Sequence, residues 1–245
     1  MINNKGYTYV MSDLHGCFEE FISMLIEIEF DDTRDHLYIL GDVIDKGKYG
    51  IEILKFLMEN KDSMTLIKGN HEDIMFQCIS KKESLNEWFV NGGKNTFLNF
   101  NKLRRKEQNK IHAFLYNTIF YKRITVNDKE YFLSHAGLIY NPNLDLEEII
   151  LLNEKMKETF LWTRNKEMFL DVKIKHDINF VFGHTPVEYL HEYIDDMNEE
   201  EKIRCNESKI YIGDKKICLD TGAANKKKIG CLRLNDMKEF YININ

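Results

Sequence analysis

The first eighty residues repeat one unit three times: a short run of strand-forming residues, a polar motif, then an amphipathic helix. Strand-like runs at 7–12, 36–41 and 64–69 lead into Asp13-Leu14-His15-Gly16, Gly41-Asp42-Val43-Ile44-Asp45-Lys46-Gly47 and Gly69-Asn70-His71-Glu72. Beyond each motif the apolar residues fall on one helical face. They are Phe18, Phe21, Ile22, Leu25 and Ile28, then Ile51, Leu54, Leu57 and Met58, then Ile74, Met75, Cys78 and Ile79. Strands joined by helical crossovers pair in parallel, so this half predicts an α/β fold built on a largely parallel sheet. In open sheets of that kind ligands gather beyond the carboxyl ends of the strands, where the polar motifs lie.

Further strand-like runs follow at 131–134, 178–183, 216–220, 229–234 and 238–244. Tyr121 to Val126, Asn127-Asp128-Lys129 and Glu130 to Leu133 read as one hairpin; Lys209 to Ile212, Gly213-Asp214 and Lys215 to Leu219 read as another. The last third is therefore expected to form a second, mixed or antiparallel sheet packed on the first. Residues 84–118 read as largely helical around Trp88, Phe89, Phe97, Phe100, Ile111, Phe114 and Leu115, interrupted by a structural turn at Asn91-Gly92-Gly93. A second helical stretch spans 144–170, and Asp195 to Glu201 reads as an exposed acidic loop. With no internal repeat of similar sequence, no Pro/Gly/Ser linker and two prolines, the simplest division is one domain over 1–245 with a helical insertion at about 84–118.

Composition excludes several classes. Hydrophobic residues at 43% and charged residues at 30% describe a soluble globular chain, and no run is long enough to span a membrane. Tyr7-Thr8-Tyr9-Val10-Met11 reads as a first strand rather than a signal segment, so a cytoplasmic location is expected. Cys17, Cys78, Cys205, Cys218 and Cys231 are scattered, which argues against a disulfide framework or a cysteine zinc site. Cys17 reads as a small residue opening a helix. A net charge of −6 gives no footprint for a nucleic-acid polymer. The basic runs Lys102 to Lys106 and Lys226 to Lys228 read as a solvated face and a turn.

The motifs carry the chemistry. His135-Ala136-Gly137 and Gly183-His184-Thr185-Pro186 follow later strands, so Asp13, Asp42, Asn70, His135 and His184 all stand at or just past a strand end. A metal pair needs a bridging carboxylate, a mixed oxygen and nitrogen shell, and open positions for water and substrate. Asp42 is the best bridge, because its strand is expected between the other two early ones. Taken singly, an Asp after a strand is a turn residue and a lone His is structural. Together they are not accidental: Gly-Asn-His-Glu alone arises by chance in roughly one chain in several hundred of this length. Asp220-Thr221-Gly222 reads as a structural turn.

With these motifs in this order, residues 8 to about 234 resemble the calcineurin-like metallophosphoesterases, and within them the PPP-type serine/threonine phosphatases, especially their compact bacterial and phage members. Pro186 stands where many metallophosphoesterases carry a further histidine ligand. The resemblance implies a four-layer αββα sandwich of two mixed β-sheets with helices outside. It implies that Asp13, His15 and Asp42 hold one metal and that Asp42, Asn70, His135 and His184 hold a second. It implies His71 as general acid and Asp45 as the carboxylate that orients and charges it. Two divalent ions, manganese first and iron or zinc as alternatives, would then activate a bridging hydroxide for in-line attack on phosphorus. Lys46, Asn70 and Arg164 are the expected substrate-binding residues. Lys46 and Lys68 replace the family's usual arginines, which predicts a looser grip on phosphoryl oxygens, and Trp162-Thr163-Arg164 resembles the segment that brings a remaining arginine fork. The first expectation is hydrolysis of phosphoserine or phosphothreonine in proteins. The alternative is symmetrical hydrolysis of dinucleoside tetraphosphates, and a third reading is a pseudophosphatase that binds phosphoproteins. The partner is accordingly a phosphoprotein or a phosphorylated small molecule; no adenine-stacking motif is evident.

Overall fold

Alternate residues of each strand enter different cores, and that alternation sets the layers. The computed structural model describes residues 6–81 and 84–244; residues 1–5, 82–83 and 245 of the expected 1–245 domain lie outside the described residues. The chain runs β1 (Thr8–Met11), α1 (Phe18–Glu27), β2 (His36–Ile39), α2 (Gly50–Glu59), β3 (Met64–Leu66) and α3 (Asn70–Ile79), then three helices, α4 (Leu85–Val90), α5 (Lys94–Asn101) and α6 (Arg105–Asn117). It continues through β4 (Tyr121–Val126), β5 (Lys129–Ser134), α7 (Leu146–Lys155), α8 (Thr159–Trp162), β6 (Asn179–Phe182), α9 (Glu199–Asn206), β7 (Tyr211–Gly213), β8 (Lys216–Cys218), β9 (Lys228–Arg233) and β10 (Lys238–Asn243).

Two five-stranded mixed sheets result, ordered β10-β9-β1-β2-β3 and β4-β5-β6-β8-β7. Tyr9, Met11, Leu37, Ile39, Met64, Leu66 and Cys231 pack outward with the α1, α2 and α3 side chains. Their neighbours Val10, Leu40, Ile67 and Leu232 turn inward against Leu133, Val181, Ile217 and Leu219 of the second sheet. Phe132, Phe180, Phe182 and Cys218 face the other way, onto Ile149, Phe160, Leu190 and Cys205. The order is helices, sheet, sheet, helices, as expected.

The second sheet is mixed, as expected, but it does not take all the strands of the last third. Strands β5, β6 and β8 are parallel, and only β4 and β7 are antiparallel, at the edges. β9 and β10 do not join that sheet; β9 pairs antiparallel with β1 and extends the first sheet. The free edge of β1 selects them, and nothing local in 228–243 encodes that choice. The first hairpin turn is tighter than read, Asn127 and Asp128 alone, both at positive φ, joining β4 to β5; the second keeps its length and sits one residue on, at Asp214 and Lys215. The acidic stretch 195–201 ends in a helix. Asn198 caps α9, accepting from the Glu201 N–H, and Glu199 to Glu201 fill the first turn, where negative charge favours the helix. Among the described residues the five cysteines form no disulfide, and Cys17 is half-buried at the start of α1. No helix among the described residues is long and apolar enough to cross a membrane.

Candidate metal centre

The parallel strands β1, β2 and β3 end at one edge of the first sheet, with β2 in the middle, so the loops after them open side by side. Backbone bonds zip two of these loops together: the N–H groups of Asp13, His15 and Gly16 donate to the carbonyls of Gly41, Asp42 and Val43 at 3.1, 2.8 and 2.9 Å. The loops after β5 and β6 close over them. His135 Nδ1 donates to the Leu40 carbonyl at 2.7 Å, and the His184 N–H donates to Asp13 Oδ2 at 3.0 Å. These contacts bring Asp13, His15, Asp42, Asn70, His71 and His184 to the floor of one cleft of about 590 Å³.

The geometry is bought with strained backbone. Asp13, His15, Asp42, Asp45, Lys46 and His184 all have φ between 41 and 66°. Left-handed conformations at non-glycine residues cost on the order of 1 kcal/mol or more each and concentrate where a site over-determines them. Glu72 supplies much of that restraint. Fully buried, it accepts from the N–H groups of Asp42 at 2.7 Å, Val43 at 2.9 Å and Gly69 at 2.9 Å. Gly69 is required there, because a Cβ would strike Asp42 Oδ1 and Glu72 Oε2.

Tautomers follow from the carbonyl partners. His135 spends its proton on Leu40 and His15 Nδ1 faces the Ile44 carbonyl at 3.1 Å, so both Nε2 atoms carry lone pairs toward the cleft. His135 Nε2 lies 2.9 Å from Asn70 Oδ1, 3.1 Å from His184 Nδ1 and 3.5 Å from Asp42 Oδ1. At most one proton, on His184 Nδ1, can be shared within that group of four acceptors. On the other side of the same carboxylate, His15 Nε2 and His71 Nε2 each lie 3.8 Å from Asp42 Oδ2. Two trios thus share Asp42: His15, Asp42 and His71, and Asp42, His135 and His184, their donor atoms within 4.8 Å of one another. Mixed nitrogen and oxygen lone pairs converging from two sides of one carboxylate fit a pair of divalent cations. Asp13 lines the same floor, its recorded bonds from Ser12 and His184 both falling on Oδ2.

Electrostatics agree. Burial and the nearby Asp42 push the Asp13 carboxyl up to about 8, and burial with Asp42 pushes Glu72 up to about 7. Burial and Asp13 raise Asp220 well above the carboxylate range. Burial would raise Asp42 too, but the rings of His135, His71 and His15 hold it below its ordinary value. Burial lowers His15 to about 3 and lowers His184. Carboxyls that hold protons because burial, and then a neighbouring carboxylate, disfavours their charge are the groups a cation would ionise.

His71 differs from the other rings. Burial opposes its charge, yet Asp42 and the hydrogen bond to Asp45 raise it. Its Nδ1 lies 2.8 Å from Asp45 Oδ2. Asp45 is itself fully buried and pinned from outside the motifs: the Trp88 indole N–H reaches both carboxylate oxygens at 3.1 and 2.9 Å, and its own N–H donates to Thr96 Oγ1 at 3.1 Å. The helical segment 84–118 therefore buttresses the His71–Asp45 pair. Its Asn91-Gly92-Gly93 break is a turn between α4 and α5, and Asn91 and Gly92 also line the cleft.

The walls are partly as expected. Lys46 is exposed, lines the cleft and brings Nζ to 3.3 Å from His15 Nε2; Arg164 lines it and donates to the His184 carbonyl at 2.9 Å. Lys68 is elsewhere, contrary to expectation. Its buried ammonium pairs with Asp73 at 3.6 Å and lies 5.0 Å from the rings of Phe76 and Phe120, where a lysine stem packs between aromatics. Trp162 and Tyr189, 45% and 43% exposed, stand in the cleft wall and were not singled out by any motif as binding surfaces. Trp162 meets His184 edge-on at 5.9 Å between centroids. Asp220 forms the expected turn, accepting from the Gly222 N–H at 3.0 Å, and also lines the cleft.

Comparison with known proteins places this geometry. The family model for calcineurin-like phosphoesterase matches residues 7–217. A symmetrical bis(5′-nucleosyl)-tetraphosphatase of Buchnera aphidicola subsp. Acyrthosiphon pisum (strain Tuc7) is 29% identical over 180 residues, covering 71% of this chain and 58% of that protein. A protein of the same name from Nitrosomonas europaea is 27% identical over 150 residues, covering 61% of this chain and 51% of its own. The chain spans less than two thirds of the length of these curated relatives. Among solved structures, a candidate diadenosine tetraphosphatase superposes with a TM-score of 0.61 at 14% identity, covering 100% of this chain and 96% of its own. A protein serine/threonine phosphatase from Saccharomyces cerevisiae does so with a TM-score of 0.57 at 13% identity, covering 98% and 80%. At such identities the likeness concerns the fold.

Proposed function

The chain belongs to the calcineurin-like phosphoesterase family, and from that premise we propose that it hydrolyses dinucleoside tetraphosphates symmetrically. The observation that carries the hydrolytic part is the convergence of His15, His71, His135 and His184 on the Asp42 carboxylate, with Asp13 in the same cleft; His15, His135 and His184 serve as ligands beside Asp13, and His71, tied to Asp45, is kept for proton transfer. Two things support the substrate: the sequence relatives are named symmetrical tetraphosphatases, and Trp162 and Tyr189 offer exposed ring faces beside the floor, on which a base can stack. This ranking reverses the expectation that a phosphoprotein comes first.

In this reading Asp13, His15 and Asp42 would hold one cation, and Asp42, Asn70, His135 and His184 the other, with manganese the first choice and iron or zinc open, since ligand type alone does not choose. Bound there, the cations supply Lewis acidity toward the phosphoryl oxygens and make water nucleophilic near neutral pH. Lys46 and Arg164 neutralise the phosphate chain from the walls. The α3 N-terminus, at Asn70 and His71, adds its dipole. Asp45 fixes the His71 ring through Nδ1 and favours its protonated form, leaving Nε2 to donate to the departing oxygen. Water adds across the central bridge: its hydroxyl goes to one inner phosphorus, its proton to the oxygen of the other half, and two nucleoside diphosphates leave.

A second reading, hydrolysis of phosphoserine or phosphothreonine, is favoured by that same His71–Asp45 pair. An alkoxide leaves poorly without a proton, whereas a diphosphate leaves readily. Purified protein with manganese, given diadenosine tetraphosphate and a phosphoserine peptide side by side, decides between them. The dinucleotide is expected to be split with the higher kcat/KM; a higher value for the peptide overturns the proposal. No turnover of either, with manganese bound, would leave a phosphate-binding protein.

A further inference from the structure

Symmetrical cleavage makes a demand that monoester hydrolysis does not. The reacting bond sits at the midpoint of the substrate, so each side needs room for a nucleoside and two phosphates. The main cleft offers one such set in Trp162, Tyr189 and Arg164. A second hollow of about 320 Å³ adjoins it, and the two share His15, Lys46 and Ala224. The floor residue His15 thus lies where the two spaces meet. The second hollow carries Tyr49, 39% exposed, together with the exposed Lys48 and Lys226. Glu19 and Glu20 also line it, at the α1 end.

From this arrangement we propose that the hollow around Tyr49 is the subsite for the second nucleoside diphosphate half, a reading that rests on the dinucleotide function above. The Tyr49 ring stacks on the base, Lys48 and Lys226 continue the positive path that Lys46 begins, and the carboxylates of Glu19 and Glu20 accept from ribose hydroxyls. Tyr49 suits the task because its backbone is fixed: it caps α2, and its N–H donates to the Gly16 carbonyl at 3.1 Å. With the backbone fixed, only the two side-chain torsions of the ring are left to order on binding. Gly16 and Gly47, which bring these two loops together, also line the hollow, so the segment that carries His15 carries the subsite as well.

The test compares two substrates with equal phosphate chains, diadenosine tetraphosphate and adenosine 5′-tetraphosphate, on the manganese-loaded full chain. Wild-type protein is expected to favour the dinucleotide in kcat/KM. Tyr49→Ala should reduce that preference by about 5- to 100-fold, as loss of one base–aromatic stack implies. Tyr49→Leu, which keeps bulk without a π face, should reduce it likewise, and Tyr49→Phe should keep it. A preference that stays within about twofold of wild type in both Ala and Leu variants, with both substrates split, overturns the subsite and leaves the dinucleotide function standing. Wild-type protein that splits neither tetraphosphate overturns the function and the subsite together.

Discussion

The floor of the cleft holds Asp42, Asn70, His71 and His184, with His135 buried beneath them, each no more than 4% exposed, and with Asp42 and His184 on left-handed backbone. Its walls hold Trp162, Tyr189 and Val90, which are 45%, 43% and 87% exposed. On the floor nearly every polar atom has a fixed partner, often on the other sheet, as with His135 on the Leu40 carbonyl and His184 on Asp13. On the walls Arg164 donates to a backbone carbonyl, and Lys46 approaches a ring nitrogen. The lesson is a division of labour. Atoms that must meet within tenths of an ångström are placed by buried, over-determined structure, while the surfaces that choose a substrate are left solvent-facing and adaptable.

Substitutions can break that comparison, beginning with the floor. Asp42→Asn removes the carboxylate common to both trios, and turnover should fall by about 10³-fold or more on every phosphate substrate, with bound manganese falling in parallel. Elemental analysis beside an assay checks it; retained activity on one substrate class would make the floor specific rather than general. His71→Asn should cost about 10² to 10⁴-fold on an alkyl phosphomonoester and much less on a tetraphosphate or nitrophenyl ester, whose leaving groups are already acidic. Equal losses would contradict an acid role.

A wall residue should behave differently. Trp162→Ala is expected to raise KM for diadenosine tetraphosphate by about 5- to 100-fold, with a smaller effect on nitrophenyl phosphate. A dominant loss in kcat instead would place Trp162 with the floor, through its edge contact with His184. The smallest effect concerns stability. With metal stripped by chelation, Asp13 holds its proton in the folded state up to about 8, while the unfolded chain releases it near the ordinary carboxylate value. Its folded value is raised, so its contribution is lost as pH rises through that value. The lowered His15 and His184 act in the opposite sense, but only below about pH 6.5, where the unfolded imidazoles charge. The raised Glu72, Asp220 and His71 add in the same sense, so between pH 7 and 8 the melting temperature of metal-free protein should fall by a few degrees or more, at least on the order of 1 kcal/mol per pH unit. Manganese should flatten the slope; a flat profile without metal would mean that Asp13, Glu72 and Asp220 are ionised already.

The floor was legible because its residues come in short strings at strand ends, where local sequence alone sets the position along the chain. Even there one role escaped notice: Glu72 lies inside a recognised motif, yet its hold on Asp42, Val43 and Gly69 shows only when two loops meet. The supports for Asp45 carried no signal at all, since Trp88 and Thr96 lie 43 and 51 residues away and read as ordinary helical residues. Lys68 misled because adjacency to a motif was taken for adjacency to substrate; Phe76 and Phe120 claim it instead.

By itself, the amino-acid sequence determined the strand–motif–helix rhythm, the donor set and the alternation that sorts side chains into layers, since each is a matter of residue type and short spacing. Tertiary structure decided which edge β9 and β10 would join, which lysine would face the cleft, and which aromatic rings would flank the floor. Those outcomes depend on contacts between residues far apart in the chain, and the free energy that selects among them belongs to the assembled packing rather than to any one segment.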